Sequence, residues 1–452
     1  MLEFILDTWK SNPSSDAVIW RNRAYDYSTL LRLFNEWKGR LPELGATPGS
    51  VVVLDAEFSP NAVALFFALV DQNCILVPLT QASRKRRDDF IKITNAGIAI
   101  SVGTNDEVTS EQLHPVGDQP LYTVLRELQH PGLVLFSSGS TGESKAALHD
   151  LVSLLEKFKV RRQTLRAISF LLYDHIGGVN TMLYSLANGG CIITVEQRDP
   201  DSVLQAVENH RAELLPTSPT FLNLMLMSEA YKRYDLGSLR IISYGTEPMP
   251  EHTLTRLHQL FPDITLHQTY GLSELGILQS RSRDPNSLWV KVGGEGFETR
   301  VVDGVLQIKA RSSMLGYLNA PSPFTEDGWF DTNDMVEVDG EYLRILGRKS
   351  DLINVGGEKV YPAEVENVIQ ELEAVAEVTV YGEQNAITGN IVCADITPAT
   401  PLESSHEPSQ EKELVALVKR HCRERLQRFK VPLRVNVVSE SQHTERFKKV
   451  RR

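Results

Sequence analysis

The chain has 452 residues, 42% hydrophobic and 23% charged, which excludes a disordered or fibrous protein and, by length, a single small module. Forty-seven Lys and Arg against fifty-eight Asp and Glu leave a formal net charge of -11, which repels a polyanion in bulk and argues against nucleic acid as the main partner. Four cysteines, Cys74, Cys191, Cys393 and Cys422, stand far apart with no CxxC pair, so neither a zinc knuckle nor a redox dithiol is readable, and a reducing, cytoplasmic setting is expected.

The N-terminal MLEFILDTWK carries Glu3 and Asp7 around its apolar run, unlike a signal peptide. The longest apolar stretch, 62–70, is far below the roughly 20 residues of a membrane-spanning helix. An N-capped apolar helix over 61–71 and a short buried strand over 74–77, closed by Pro78, indicate an α/β layer. From residue 160 onward, helical stretches alternate with short apolar runs such as SFLLY, GCIITV and IISYG at the spacing of parallel βαβ units, which predicts a doubly wound region. Past residue 289 the texture changes to short β-rich runs broken by Gly and Asp, predicting a small antiparallel sheet or barrel. The turn at 347–351, GRKSD, reads as a hinge, and the polar stretch 397–411 as a surface loop inside the last domain. Residues 411–452 hold thirteen Lys or Arg against five Asp or Glu, either a solvated basic helix or a dock for a phosphorylated thiol or an acidic carrier protein.

The most informative stretch is LVLFSSGSTGESKAALHD, 133–150. An apolar strand runs straight into Ser137, Ser138, Gly139, Ser140, Thr141, Gly142, Glu143, Ser144 and Lys145. Glycines let the main chain approach a phosphate, backbone N–H groups and hydroxyls donate to its oxygens, and Lys145 adds a point charge. A Walker A loop needs Gly directly before the Lys and Ser or Thr directly after it, whereas Lys145 lies between Ser144 and Ala146.

This loop resembles the phosphate loop of the adenylate-forming superfamily, which contains acyl-CoA synthetases, nonribosomal adenylation domains and beetle luciferases. Further motifs similar to that family's follow in order over the remaining three hundred or so residues, while the first 130 match only in general α/β texture. GTEP (Gly245, Thr246, Glu247, Pro248) is similar to the loop that stacks on adenine. TYGLSE resembles YGxTE, which implies that Tyr270 and Gly271 pack at the adenine, Ser273 donates to phosphate and Glu274 holds Mg2+. GWFDTNDMV resembles GWFxTGD, making Asp334 the acceptor of both ribose hydroxyls, with Asn333 in place of the usual Gly because Asn tolerates left-handed backbone. GRKSDLINVGGEKVYPAEVE, 347–366, places Arg348 at the ribose and Gly356 and Gly357 at a tunnel for a pantetheine thiol. Near the C-terminus, TERFKKVRR resembles the family's lysine segment, in which the catalytic lysine commonly follows Gly. The spacing from Thr444 and Arg451 fits Lys448, and that from Val450 and Arg452 fits Lys449.

FLLYDHIGGVN, 170–180, resembles the segment beside the acid, which implies a pocket of His175, Gly178, Val179 and Asn180 closed by Gly245, Gly271 and Gly276. Asp174 could pair with a substrate amino group, but Asp commonly caps such a Gly turn, so the cap is expected. The resemblance thus implies Thr141, His175 and Lys448 or Lys449 as the catalytic set. The resemblance implies an α/β fold: an N-terminal domain over 1–346, of doubly wound sheets plus a β-barrel-like subdomain, a hinge at 347–351, and a small mobile α+β lid over 352–452. It also implies ATP and Mg2+, a small carboxylic acid, and CoA or a carrier-protein phosphopantetheine as acceptor. An amino acid or aminobenzoate adenylating enzyme, a luciferase-like oxygenase and a nucleotide-binding protein without turnover share these motifs. Ser350 and Asn354, which replace a common Asp and Lys, are departures that fit the last of them.

Overall fold

The computed structural model describes residues 1–115, 117–138, 143–400, 407–439, 442–444, 447 and 449. Two seven-stranded sheets dominate the larger, N-terminal part. In one, the parallel strands Val51–Asp55, Ile75–Leu79, Ile98–Val102 and Gly132–Ser138 are flanked by antiparallel neighbours, among them Ser144–Asp150. In the other, Asp16–Trp20, Arg166–Ile168, Cys191–Ile193, Leu214–Thr217, Ile241–Tyr244 and Thr265–Gln268 run parallel, and a single hairpin strand, Arg23–Asp26, closes one edge.

The sheets share one core because two helices between them are apolar nearly all round. Pro60–Asp71 buries every residue from Ala62 to Val70, and Ile176–Ala187 buries ten of its twelve. Both belong to the same hydrophobic cluster as Val52, Leu76 and Leu133 of one sheet and Val18 and Ile192 of the other. Three helices open on the same chemistry, a capping oxygen followed by proline: Ser59–Pro60, Asp199–Pro200 and Ser218–Pro219, with each cap accepting a backbone N–H of the first turn.

Residues 280–348 form a six-stranded antiparallel sheet, ordered from Ser280–Ser282 at one edge to Phe297–Val302 at the other. The smaller C-terminal part packs the helices Pro362–Ile369 and Glu407–Arg425 on a last sheet whose strands all lie within 353–437. Two expectations change. The strand after the first apolar helix runs to Leu79 through Pro78, which is tolerated because pairing with Gly132–Ser138 ends at Leu76 and leaves no partner for the missing N–H. The stretch 397–411 is not a continuous loop: Gly389–Pro398 extends into it and the second helix of the C-terminal part starts at Glu407. All four cysteines are buried and free. Among the described residues, no helix is long and apolar enough to cross a membrane.

Candidate functional site

Ser138 pairs with Ser144 and Ser137 with Lys145, so the Ser/Gly loop is the connection of an antiparallel hairpin rooted in the central sheet. Gly139, Ser140, Thr141 and Gly142 lie outside the described residues. The base of that loop is clamped: Asn319 accepts from the Ala146 N–H at 2.9 Å and donates to the Ser144 carbonyl at 2.9 Å, and Arg86 donates to the Ser144 hydroxyl at 2.7 Å. Beside it, the Ser137 hydroxyl (3.1 Å) and the Tyr317 hydroxyl (2.7 Å) both donate to Oε1 of buried Glu274. The Lys145 ammonium lies 5.4 Å from the centre of the Tyr317 ring. Burial, and then the Glu274 carboxylate, push the Tyr317 phenol up, so it remains a donor. Among the described residues no group of three His, Cys, Asp or Glu could cage a metal. The donor set fits Mg2+ nonetheless, because that ion takes one or two protein carboxylates and completes its shell with phosphate oxygens and water.

The loop bearing Glu274 is positioned by a residue the motifs did not single out. His149, wholly buried on Ser144–Asp150, contacts the Ser273 carbonyl through Nε2 at 2.6 Å. A carbonyl only accepts, so Nε2 carries the proton, and burial lowers the imidazole's basicity and favours the neutral ring.

A second constellation forms where Phe330–Asp339 pairs with Tyr342–Arg348, setting Asp334 opposite Arg348. The Tyr270 hydroxyl donates to Asp334 Oδ2 at 2.6 Å, and Arg348 Nε meets Oδ1 at 2.7 Å. Arg348 also donates to the Thr332 carbonyl, and the Thr332 hydroxyl accepts the Asp334 N–H. Burial raises the Asp334 carboxyl, while the guanidinium and the phenol act in the opposite direction. Each oxygen keeps a second acceptor direction. Asn333 has φ of 60°, the left-handed geometry expected of it, and donates to the Ser350 hydroxyl.

Glu247 of the GTEP turn caps a different element. Its Oε1 accepts the Thr220 N–H at 2.7 Å and the Thr220 hydroxyl at the start of the helix Pro219–Met227, while Oε2 takes the Lys449 N–H at 3.4 Å. Thr246 is held at φ of 75°. Pro248 lines the cleft here with Thr220, Asn223, Gln442 and Lys449. Gly245 and Gly271 are fixed by packing, since a Cβ would lie 2.8 Å from the carbonyls of Thr269 and Gly276 respectively. Gly276 itself has φ of 82°.

Around the expected acid pocket the side chains divide. His175 accepts the Gly177 N–H on Nδ1 at 3.0 Å and is the N-cap of Ile176–Ala187. Asp174 is therefore not the cap; buried, it accepts the hydroxyls of Thr80 (3.1 Å) and Ser83. A Cβ on Gly178 would collide with the Leu172 carbonyl at 1.9 Å, Val179 is buried in the main core, and Asn180 accepts the Lys157 ammonium at 2.6 Å. Gly356 and Gly357, at φ of 62° and 95°, form the two-residue tip of the hairpin Ile353–Val355 and Glu358–Val360, with nothing within 4 Å of either built Cβ. Lys448 lies outside the described residues, whereas Lys449 Nζ is 2.9 Å from Oε2 of buried Glu366.

A family model described as AMP-binding enzyme matches residues 6–306, and one described as AMP-binding enzyme C-terminal domain matches 364–448. The chain belongs to the AMP-binding enzyme family. Among curated relatives of this family member, an indoleacetate–CoA ligase of Aromatoleum aromaticum is 30% identical over 298 residues, covering 60% of this chain and 58% of the relative. A 2-succinylbenzoate–CoA ligase of Bacillus pumilus is 26% identical over 95% of this chain and 92% of its own. A feruloyl-CoA synthase of Amycolatopsis is 26% identical over 86% and 87%. The chain thus spans less than two thirds of the first of these relatives and most of the other two. In fold, it superposes on an anthranilate CoA ligase crystallised with anthranoyl-AMP at a TM-score of 0.82 and 20% identity, covering 98% of this chain and 95% of that one.

Proposed function

We propose that this chain is an AMP-forming acid:thiol ligase. It activates an aryl or alkyl carboxylic acid as acyl-AMP, releasing pyrophosphate, and passes the acyl group to the thiol of CoA or of a carrier-protein phosphopantetheine. The observation that carries the reading is the convergence of donors on two carboxylates that motif spacing selects. Ser137 and Tyr317 meet on Glu274, and Tyr270 and Arg348 on Asp334, each with acceptor capacity to spare for a ligand.

In this reading a carboxylate oxygen attacks the α-phosphorus of ATP, the bond to the β-phosphate oxygen breaks, and pyrophosphate leaves. Asp334 and Arg348 orient the ribose, and the hairpin loop with Ser137, Ser138 and Lys145 holds the phosphates. Glu274 would hold Mg2+, whose chemistry here is to neutralise charge on the phosphate oxygens. His149 fixes the loop that carries Ser273 and Glu274 through the Ser273 carbonyl. His175 stands at the carboxylate end of the acid site, and Lys448 or Lys449 brings together two anions that otherwise repel. The lid, 352–452, then turns about 347–351. The Gly356–Gly357 tip faces the site, a thiolate attacks the acyl carbon, and AMP departs.

The relatives named for indoleacetate, feruloyl-CoA and 2-succinylbenzoate favour an aryl acid. Three cations of the basic C-terminal segment pair internally, Arg425 with Glu371, Lys430 with Glu364 and Arg434 with Glu383, which weakens the case for a carrier-protein dock and favours CoA. The test is ATP–pyrophosphate exchange across aryl, short to long alkyl and amino acids, then thioester detection with CoA. Exchange with at least one aryl or alkyl acid is expected, and none with any acid overturns the reading.

A further inference from the structure

Phe447 precedes Lys448, one of the two candidate lysines, at the position where the resembled segment commonly carries glycine, and it has the left-handed backbone of one, with φ of 50°. An aromatic residue is rarely found there, since its Cβ crowds the following carbonyl. What holds it is the ring. Phe447 reaches out of the C-terminal segment into the N-terminal part, 5.2 Å from Phe170 and 5.7 Å, edge-on, from Phe221, both buried in the core of the second large sheet. It also stacks on His443 at 5.0 Å and 17°. That ring is in turn tied to the lid by a 2.9 Å contact with Glu377. The two described residues that flank Lys448 are thus both bound across the cleft: Phe447 by this aromatic seat, and Lys449 through its N–H to Glu247. Phe170 begins the segment expected beside the acid, and Phe221 lies one turn into the helix capped by Ser218.

We infer that Phe447 is a positioning residue for adenylation, a latch that fixes the lysine-bearing segment on the large domain and biases the lid toward the orientation in which the acid and ATP react. This rests on the function proposed above. Aromatic pairs of this geometry and the partial burial of the ring favour the docked state, and the left-handed backbone opposes it by a smaller amount. Glycine at 447 keeps the backbone and relieves the strain, so removing the latch need not unfold the lid. Latching is also selective: it favours the first half-reaction and must be undone for the second.

The experiment compares wild type with Phe447→Gly and Phe447→Leu in three assays. Phe447→Gly is expected to lose roughly ten- to hundredfold in acid-dependent pyrophosphate exchange. It should convert chemically synthesised acyl-AMP and CoA to thioester at the wild-type rate or faster, and Phe447→Leu, which keeps an apolar plug, should lie between in exchange. Exchange within twofold of wild type, or an equal fall in both half-reactions, overturns the latch. In the absence of any active acid, small-angle scattering decides: the latch requires a larger radius of gyration for Phe447→Gly than for wild type, and an unchanged radius refutes it. Absence of exchange in wild type itself rejects the ligase reading instead.

Discussion

Replacing Asp334 with Asn separates a structural role from a ribose-binding role. In the folded chain its carboxylate collects two donors, Tyr270 at 2.6 Å and Arg348 at 2.7 Å. Asn retains one acceptor oxygen and turns an NH2 toward the other donor, so one charge-assisted hydrogen bond, about 1.5–3 kcal/mol, is lost. Relief of the desolvation that raises the Asp334 carboxyl, and rehydration of the half-exposed Arg348, return part of that. The stability loss should be about 1–2 kcal/mol, a few degrees in Tm. If the carboxylate also accepts both ribose hydroxyls, the variant forfeits one of these charge-assisted bonds and the charge assistance of the other in the transition state, about 2–4 kcal/mol, or roughly 30- to 10³-fold in kcat/KM for ATP. Pyrophosphate exchange under varied ATP, alongside thermal unfolding, reads the two numbers separately. A folded variant whose exchange stays within threefold of wild type would refute the assignment of Asp334 to the ribose.

Lys448→Ala should lower exchange by orders of magnitude with an unchanged Tm, while Lys449→Ala, which takes the cation from buried Glu366 and leaves its carboxylate on the Val380 N–H, should cost about 2 kcal/mol of stability; the reverse pattern in calorimetry and exchange assigns the catalytic role to Lys449. Glu274→Gln should leave folding intact and raise the Mg2+ concentration needed for half-maximal exchange by at least tenfold, and an unaltered Mg2+ titration contradicts its role as metal ligand. Burial, and then the charge of Arg162, press the Lys157 ammonium down to about 7. Between that pH and about 10.5 the unfolded chain therefore holds a proton the folded chain has released, and stability rises with pH by on the order of 2–4 kcal/mol; Lys157→Met should flatten this rise in urea titrations at pH 7 and 9.5. His149→Phe should uncouple the Ser273 carbonyl and reduce exchange tenfold or more, whereas full activity shows that loop to be held by other contacts.

Those parts of the fold governed by local chemistry were readable from residue order. Ser59–Pro60 starts a helix whatever surrounds it, Gly356–Gly357 makes a two-residue turn, and Asn333 takes the left-handed geometry its motif requires. What could not be read depends on which distant elements the topology brings together. His149 looks like one polar residue in an apolar strand until the fold sets it against Ser273, 124 positions away. Tyr317 gains its meaning only from the short strand Gly316–Tyr317 that joins the central sheet beside Ser144–Asp150. The role of Asp174 is hidden for the same reason: the hydroxyls that engage it come from residues 80 and 83, while its neighbour His175 takes the cap. The partner of Lys449 is an inward-facing glutamate that helical periodicity places on a buried face without naming what meets it.

A crystal structure with Mg2+ and a non-hydrolysable ATP analogue tests the central claim most directly. The nucleotide should lie with both ribose hydroxyls within hydrogen-bond reach of Asp334 and its metal on Glu274 beside the hairpin that follows Ser138. A triphosphate bound elsewhere, with Glu274 still bonded to Ser137 and Tyr317 and to no metal, would contradict it.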